Sequence, residues 1–124
     1  LCIDNDPEDV EFFCEAAKAV DPSMTVLSAS SGQDALDLLN SLDTEELPAY
    51  IFLDINMPRM NGKETLKEIR KTERCHSAEI IMLSTGSNQG DSVEYKDLGA
   101  THFMAKANSL REFCDKLTLL LNME

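Results

Sequence analysis

The sequence predicts an α/β fold, a doubly wound five-stranded parallel sheet covered by five helices. Five short apolar runs alternate with five stretches of helical periodicity, and the linkers are too short for anything but right-handed crossovers. The run Ile80 to Leu83 is apolar at every position instead of alternating, as in a strand buried on both faces. Polar residues stand where the strands end, the edge at which open parallel sheets place reactive groups.

Taken in order, Leu1-Cys2-Ile3-Asp4 is expected to be the tail of a first strand whose opening residues lie upstream. Asp6 is placed as an N-cap, Pro7 as the first helical residue and Glu8 and Asp9 as acids of the first turn. Val10, Phe13, Ala17 and Val20 then form one apolar helix face. Met24 to Ala29 reads as strand two and Ser30-Ser31-Gly32 as a turn. A second helix shows Ala35, Leu38, Leu39 and Leu42 on one side, and Asp43 to Pro48 is an acidic linker.

The stretch that organises the chain is Tyr50 to Gly62. Its apolar run breaks off at Asp54 and gives way to Ile55-Asn56-Met57-Pro58-Arg59-Met60-Asn61-Gly62. That pattern is a buried central strand ending in a carboxylate, then a loop before a third helix with Leu66 and Ile69, fraying near Thr72. Ser84-Thr85-Gly86-Ser87-Asn88 follows strand four, and a short helix runs to Leu98 with Gly99 as its stop. Thr101 to Ala105 is strand five, with Lys106 at its end. Ser109 and Glu112 make a capping box for a last helix with Leu110, Phe113, Leu117, Leu120 and Leu121 on its face.

Composition narrows the function. The 124 residues make one domain, and a net charge of -12 opposes binding to nucleic acid or to an anionic membrane surface. The longest apolar run, Ala49 to Leu53, is too short to cross a bilayer, and no signal-peptide pattern opens the sequence; the expected location is cytoplasmic. Cys2, Cys14, Cys75 and Cys114 form no C-x-x-C pair and are expected to be buried as small hydrophobes. His102 is expected on the surface, and Met57, Met60, Met82 and Met104 in packing roles.

Asp4 and Asn5 after strand one, Asp54 after strand three, Ser84 after strand four and Lys106 after strand five together resemble the receiver domain of two-component response regulators. The resemblance covers residues 1-124, and its most specific part is Asp-x-Asn-Met-Pro-x-Met-x-Gly from Asp54 to Gly62. It implies a flavodoxin-like sheet with strand order 2-1-3-4-5, a single-domain switch resembling the chemotaxis regulators, and Asp54 as phosphoacceptor. It further implies Mg²⁺ held by Asp4, Asn5, Asp54 and the backbone carbonyl of Asn56. Ser84 would meet the phosphoryl group, Lys106 would be its cationic partner, and Phe103 with Ser84 would form the conformational switch. The implied partners are a sensor histidine kinase or phosphotransfer protein and a downstream protein target, and the chain would be no enzyme beyond its own phosphorylation and dephosphorylation.

The chemistry is coherent on its own terms. A carboxylate attacking phosphorus gives a transient aspartyl phosphate, and the phosphoryl oxygens need cationic neutralisation. Two carboxylates about 5 Å apart repel by roughly 3 kcal/mol at an effective dielectric of about 20, which calls for a divalent cation. Mg²⁺ prefers oxygen ligands and retained waters, in keeping with this set.

Two positions depart from the family pattern. Asn5 stands where a second acid is usual, so metal binding is expected to be weaker, and Ala107 stands where proline is usual, which puts the usual cis peptide there in question. Gly86 leaves the phosphoryl neighbourhood unshielded, favouring water access and quick dephosphorylation. The alternatives are a receiver-like interaction module that works without phosphorylation, an aspartate-nucleophile phosphohydrolase, which would want an acid at Asn56, and an FMN carrier. The last would need a Ser/Thr/Gly-rich loop in place of Asp4-Asn5-Asp6-Pro7.

Overall fold

In the computed structural model, residues 1–57, 59–84, 92–107 and 109–121 are described. Pro58 and the loop Thr85 to Asn88, with the Gly86 on which the dephosphorylation expectation rests, lie outside them. Five strands and five helices alternate: β1 (Cys2–Ile3), α1 (Pro7–Val20), β2 (Ser28–Ala29), α2 (Gly32–Ser41), β3 (Tyr50–Asp54), α3 (Gly62–Lys71), β4 (Glu79–Ser84), α4 (Ser92–Asp97), β5 (His102–Ala105) and α5 (Leu110–Leu121). All strand pairs are parallel, in the order β2-β1-β3-β4-β5, as expected.

Side-chain alternation along the strands divides the core into two layers. Ile51 and Leu53 of β3 and Ile80 and Met82 of β4 join Ala35 and Leu39 of α2 and Leu66 and Ile69 of α3. Phe52, Ile81 and Leu83 point the other way and join Phe13, Ala16 and Ala17 of α1 and Phe113, Leu117 and Leu120 of α5. Three rings lock that second layer, with Phe13 centred 4.8 Å from Phe52 and 5.6 Å from Phe113.

Helix boundaries follow the local chemistry. Asp6 caps α1 by accepting the Glu8 N–H at 3.0 Å, and Pro7 begins the helix. Asn61 caps α3 and exchanges a capping box with Glu64, a cap with no counterpart among the sequence expectations. Ser109 Oγ accepts the Glu112 N–H at 3.1 Å. Gly99 adopts a φ of +114° that an L side chain resists, and a Cβ there would meet Arg70.

Several expectations need correcting. The sequence predicts strand two over Met24 to Ala29, but β2 is only Ser28–Ala29; Met24 and Val26 pack against the α1–α5 layer. Helix two ends at Ser41 with Leu42 as its cap, and the acidic linker holds a 3-10 turn at Thr44–Glu46. Cys2 and Cys75 are buried as expected, whereas Cys14 and Cys114 are half-buried, Cys114 against Ala16 of α1, and all four are free thiols. His102 is half-buried, its Nε2 3.8 Å from Glu79 Oε1. No helix among the described residues is long and apolar enough to cross a membrane.

Candidate functional site

The site forms where β1, β3 and β5 end on one edge of the sheet. Ladder bonding continues one residue past β1 and β5, with Asp4 N donating to Ala29 O (3.1 Å) and Lys106 N to Ser84 O (2.7 Å). Cys2, Phe52 and Met104 all belong to the α1–α5 layer. Two residues on from each, the same alternation carries Asp4, Asp54 and Lys106 to that side of the sheet edge. Residues 102 positions apart in the chain, Asp4 and Lys106, thus meet.

Each carboxylate is fixed through one oxygen. Asp4 Oδ1 accepts the Asp6 N–H at 3.0 Å, and Asp54 Oδ1 accepts the Asn56 N–H at 3.1 Å. The second oxygens face a common cation: Lys106 Nζ lies 3.1 Å from Asp4 Oδ2 and 3.5 Å from Asp54 Oδ2. It also lies 2.9 Å from Oδ2 of Asp9. The sequence places Asp9 only among the acids of the first helical turn. No local pattern signals its contact, because the partner is 97 residues away.

Burial sets the electrostatics. Asp4 and Asp54 are each 3% exposed. Burial pushes the Asp54 carboxyl up from 3.8 to about 6, and the neighbouring Asp4 charge adds to this, while the Asn56 N–H and the Lys106 ammonium pull the other way. Burial also works against the charge on Lys106. Its hydrogen bonds to Asp9 and Asp4 and the charge of Asp54 outweigh that, holding it above the usual lysine range.

The loop motif after Asp54 has a steric basis. Gly62 opens α3 directly beneath the end of β3, where a Cβ would lie 2.6 Å from Asp54 O and 2.7 Å from Ile55 Cα. Gly62 N donates to Ile55 O at 3.1 Å, so the loop is closed back onto the strand that carries Asp54. Arg59 in this loop has a φ of +63°, uncommon for a residue with a side chain.

Of the other expected site residues, Ser84 is fully buried at the end of β4, paired in the ladder with Ala105. Phe103 is half-buried on the opposite layer, its ring 5.8 Å from Tyr95 of α4. Asn5 and Asn56 are exposed at the rim. Among the described residues no three His, Cys, Asp or Glu side chains are placed to share an ion. A cation here would therefore rely on the two carboxylates plus amide, backbone and water oxygens. This hard, all-oxygen donor set fits Mg²⁺. No cis peptide occurs among the described residues, the bond before Ala107 included.

A parallel 2-1-3-4-5 sheet with paired acids at β1 and β3 and a lysine at β5 defines a class of signalling domain. The chain belongs to the response regulator receiver domain family, whose description matches residues 1–118. It is 32% identical over 121 residues to the transcriptional regulatory protein CpxR of Escherichia coli, covering 98% of this chain and 48% of CpxR. It is 38% identical over 86 residues to the nitrate/nitrite response regulator protein NarL of Escherichia coli, covering 68% of this chain and 37% of NarL. The chain thus spans about half or less of the curated relatives it matches. In fold it is similar to the response regulator RPA3017 in red light signaling of R. palustris, with a TM-score of 0.84 at 21% identity, covering 99% of this chain and 91% of that one.

Proposed function

We propose that this receiver domain is a phosphorylation switch in which Asp54 accepts a phosphoryl group from a histidine kinase or phosphotransfer protein. The observation that carries the reading is the pairing of buried Asp54 with buried Asp4 and the single ammonium of Lys106 at the sheet edge. Two buried acids held together disfavour ionisation and favour any ligand that brings positive charge. A nucleophilic carboxylate beside a fixed cation suits the transfer of an anionic group.

Asp54 Oδ2 would attack phosphorus as the bond to the donor imidazole nitrogen breaks, and the imidazole would leave with the electron pair and take up a proton. Asp54 Oδ1, held by the Asn56 N–H, keeps the carboxylate aimed. Lys106 would neutralise a phosphoryl oxygen, and the Ser84 hydroxyl would approach another. Mg²⁺, held by Asp4 and Asp54 with the Asn5 amide and the Asn56 carbonyl, supplies charge neutralisation on the phosphoryl oxygens when bound. A shift of Ser84 would make room for Phe103, now packed beside Tyr95, to turn and alter the α4–β5–α5 surface read by a target protein.

Intact-mass measurement after incubation with Mg²⁺ and acetyl phosphate tests the proposal. One added phosphate on the wild type and none on Asp54→Asn is the expected result. A wild type that gains no mass, yet binds a partner, would favour a receiver-like interaction module that works without phosphorylation.

A further inference from the structure

Asp9 is the residue at this site that neither the motif nor the expected phosphoryl chemistry uses. It lies at the third position of α1, where an acid after an Asp cap would ordinarily reach back to the cap's own N–H. That route is closed, because the Asp6 N–H is given to Asp4 Oδ1. The Asp9 carboxylate instead meets Lys106 Nζ at 2.9 Å, against 3.1 Å for Asp4 and 3.5 Å for Asp54. The lysine therefore sits nearer the helix than the proposed acceptor.

We infer that Asp9 is a positioning residue, a latch on α1 that draws the Lys106 ammonium toward the helix, so that its contact with Asp54 is the longest of the three in the unmodified protein. Loosening the Asp9 contact would let Lys106 close in from 3.5 Å on Asp54 or on a phosphoryl oxygen attached to it. The side chains are graded to allow this: Asp9 is 43% exposed, Lys106 19% and Asp54 5%. The Asp9 contact is screened and easily broken, whereas the lysine's contacts further in are not. The latch's effect on phosphorylation rests on the proposed function, but the position of Lys106 in the resting protein does not.

Two measurements on the full chain decide the matter. The first is the Lys106 ¹⁵Nζ resonance of the unmodified protein, assigned by its loss in Lys106→Arg, compared in wild type, Asp9→Asn, Asp9→Glu and Glu8→Gln. Asp9→Asn should move the resonance, Asp9→Glu should keep it close to wild type, and Glu8→Gln, which removes the same charge from the same turn, should leave it in place. The second is the rate of mass gain from acetyl phosphate at subsaturating donor and saturating Mg²⁺. Freeing the lysine should raise that rate roughly two- to fivefold in Asp9→Asn and not in Asp9→Glu, the scale of a partly exposed ion pair.

An unmoved Lys106 resonance in Asp9→Asn overturns the latch. So does an equal rate gain in Glu8→Gln, which would reduce the effect to bulk charge. Should the wild type accept no phosphoryl group, the proposed function fails and the resonance alone decides the latch.

Discussion

Replacing Asp54 by asparagine should make the metal-free protein more stable, and the gain should grow with pH. Asp54 has an ordinary pKa of 3.8 and a folded value of about 6, so between those values the native state binds a proton that the unfolded chain has released. Stability therefore falls as pH rises through this window and stays low above it. At roughly 1.36 kcal/mol per pH unit, the full loss approaches about 3 kcal/mol, about half of it already incurred at pH 5. The substituted amide would keep the shape and the Asn56 hydrogen bond without the charge, and Lys106 would retain Asp4 and Asp9.

Urea unfolding of both proteins in the presence of a chelator, at pH 5, 6 and 7, should show an advantage for the variant of about 1.5 kcal/mol at pH 5 widening to about 3 kcal/mol at pH 7. Comparing the two proteins at each pH cancels the titration of the other acids. A gap that stays constant with pH, or a variant less stable than wild type at pH 7, would refute the argument that Asp54 is held as a destabilised carboxylate. Added Mg²⁺ should narrow the gap at pH 7 by stabilising the wild type alone.

Lys106→Ala should slow phosphorylation and, because it strips the counter-ion from two buried acids, cost about 2–3 kcal/mol at pH 7 and less at pH 5, measured by urea unfolding. Its three carboxylate contacts tie the ammonium to folding as well as to chemistry. Asn5→Asp should tighten Mg²⁺ binding by roughly tenfold through one added charge, lower the metal-free stability and speed phosphorylation when Mg²⁺ is limiting. An NMR titration showing unchanged affinity would remove residue 5 from the metal site. Gly62→Ala should lower stability by about 2–3 kcal/mol, since its Cβ meets main-chain atoms that cannot swing aside, and thermal unfolding would detect it.

The order of elements, the parallel sheet and the strand ends at which Asp4, Asp54, Ser84 and Lys106 stand are all legible along the chain. Those features are written locally: an unbroken apolar run marks a strand buried on both faces, a carboxylate or lysine marks its end, and caps such as Asp6 and Ser109 mark helix starts. The extent of a strand is less local, since Met24 and Val26 carry the apolar pattern expected of strand two yet pack against the α1–α5 layer outside β2. The role of Gly62 is visible as a motif letter, but its cause is the approach of α3 to the backbone of β3. How Lys106 is shared among Asp4, Asp9 and Asp54 emerges only once the elements are packed. Ion pairing depends on distances of a few ångströms between side chains from separate elements, and the packing of α1 against the sheet and α5 sets those distances, which no pattern along the chain encodes.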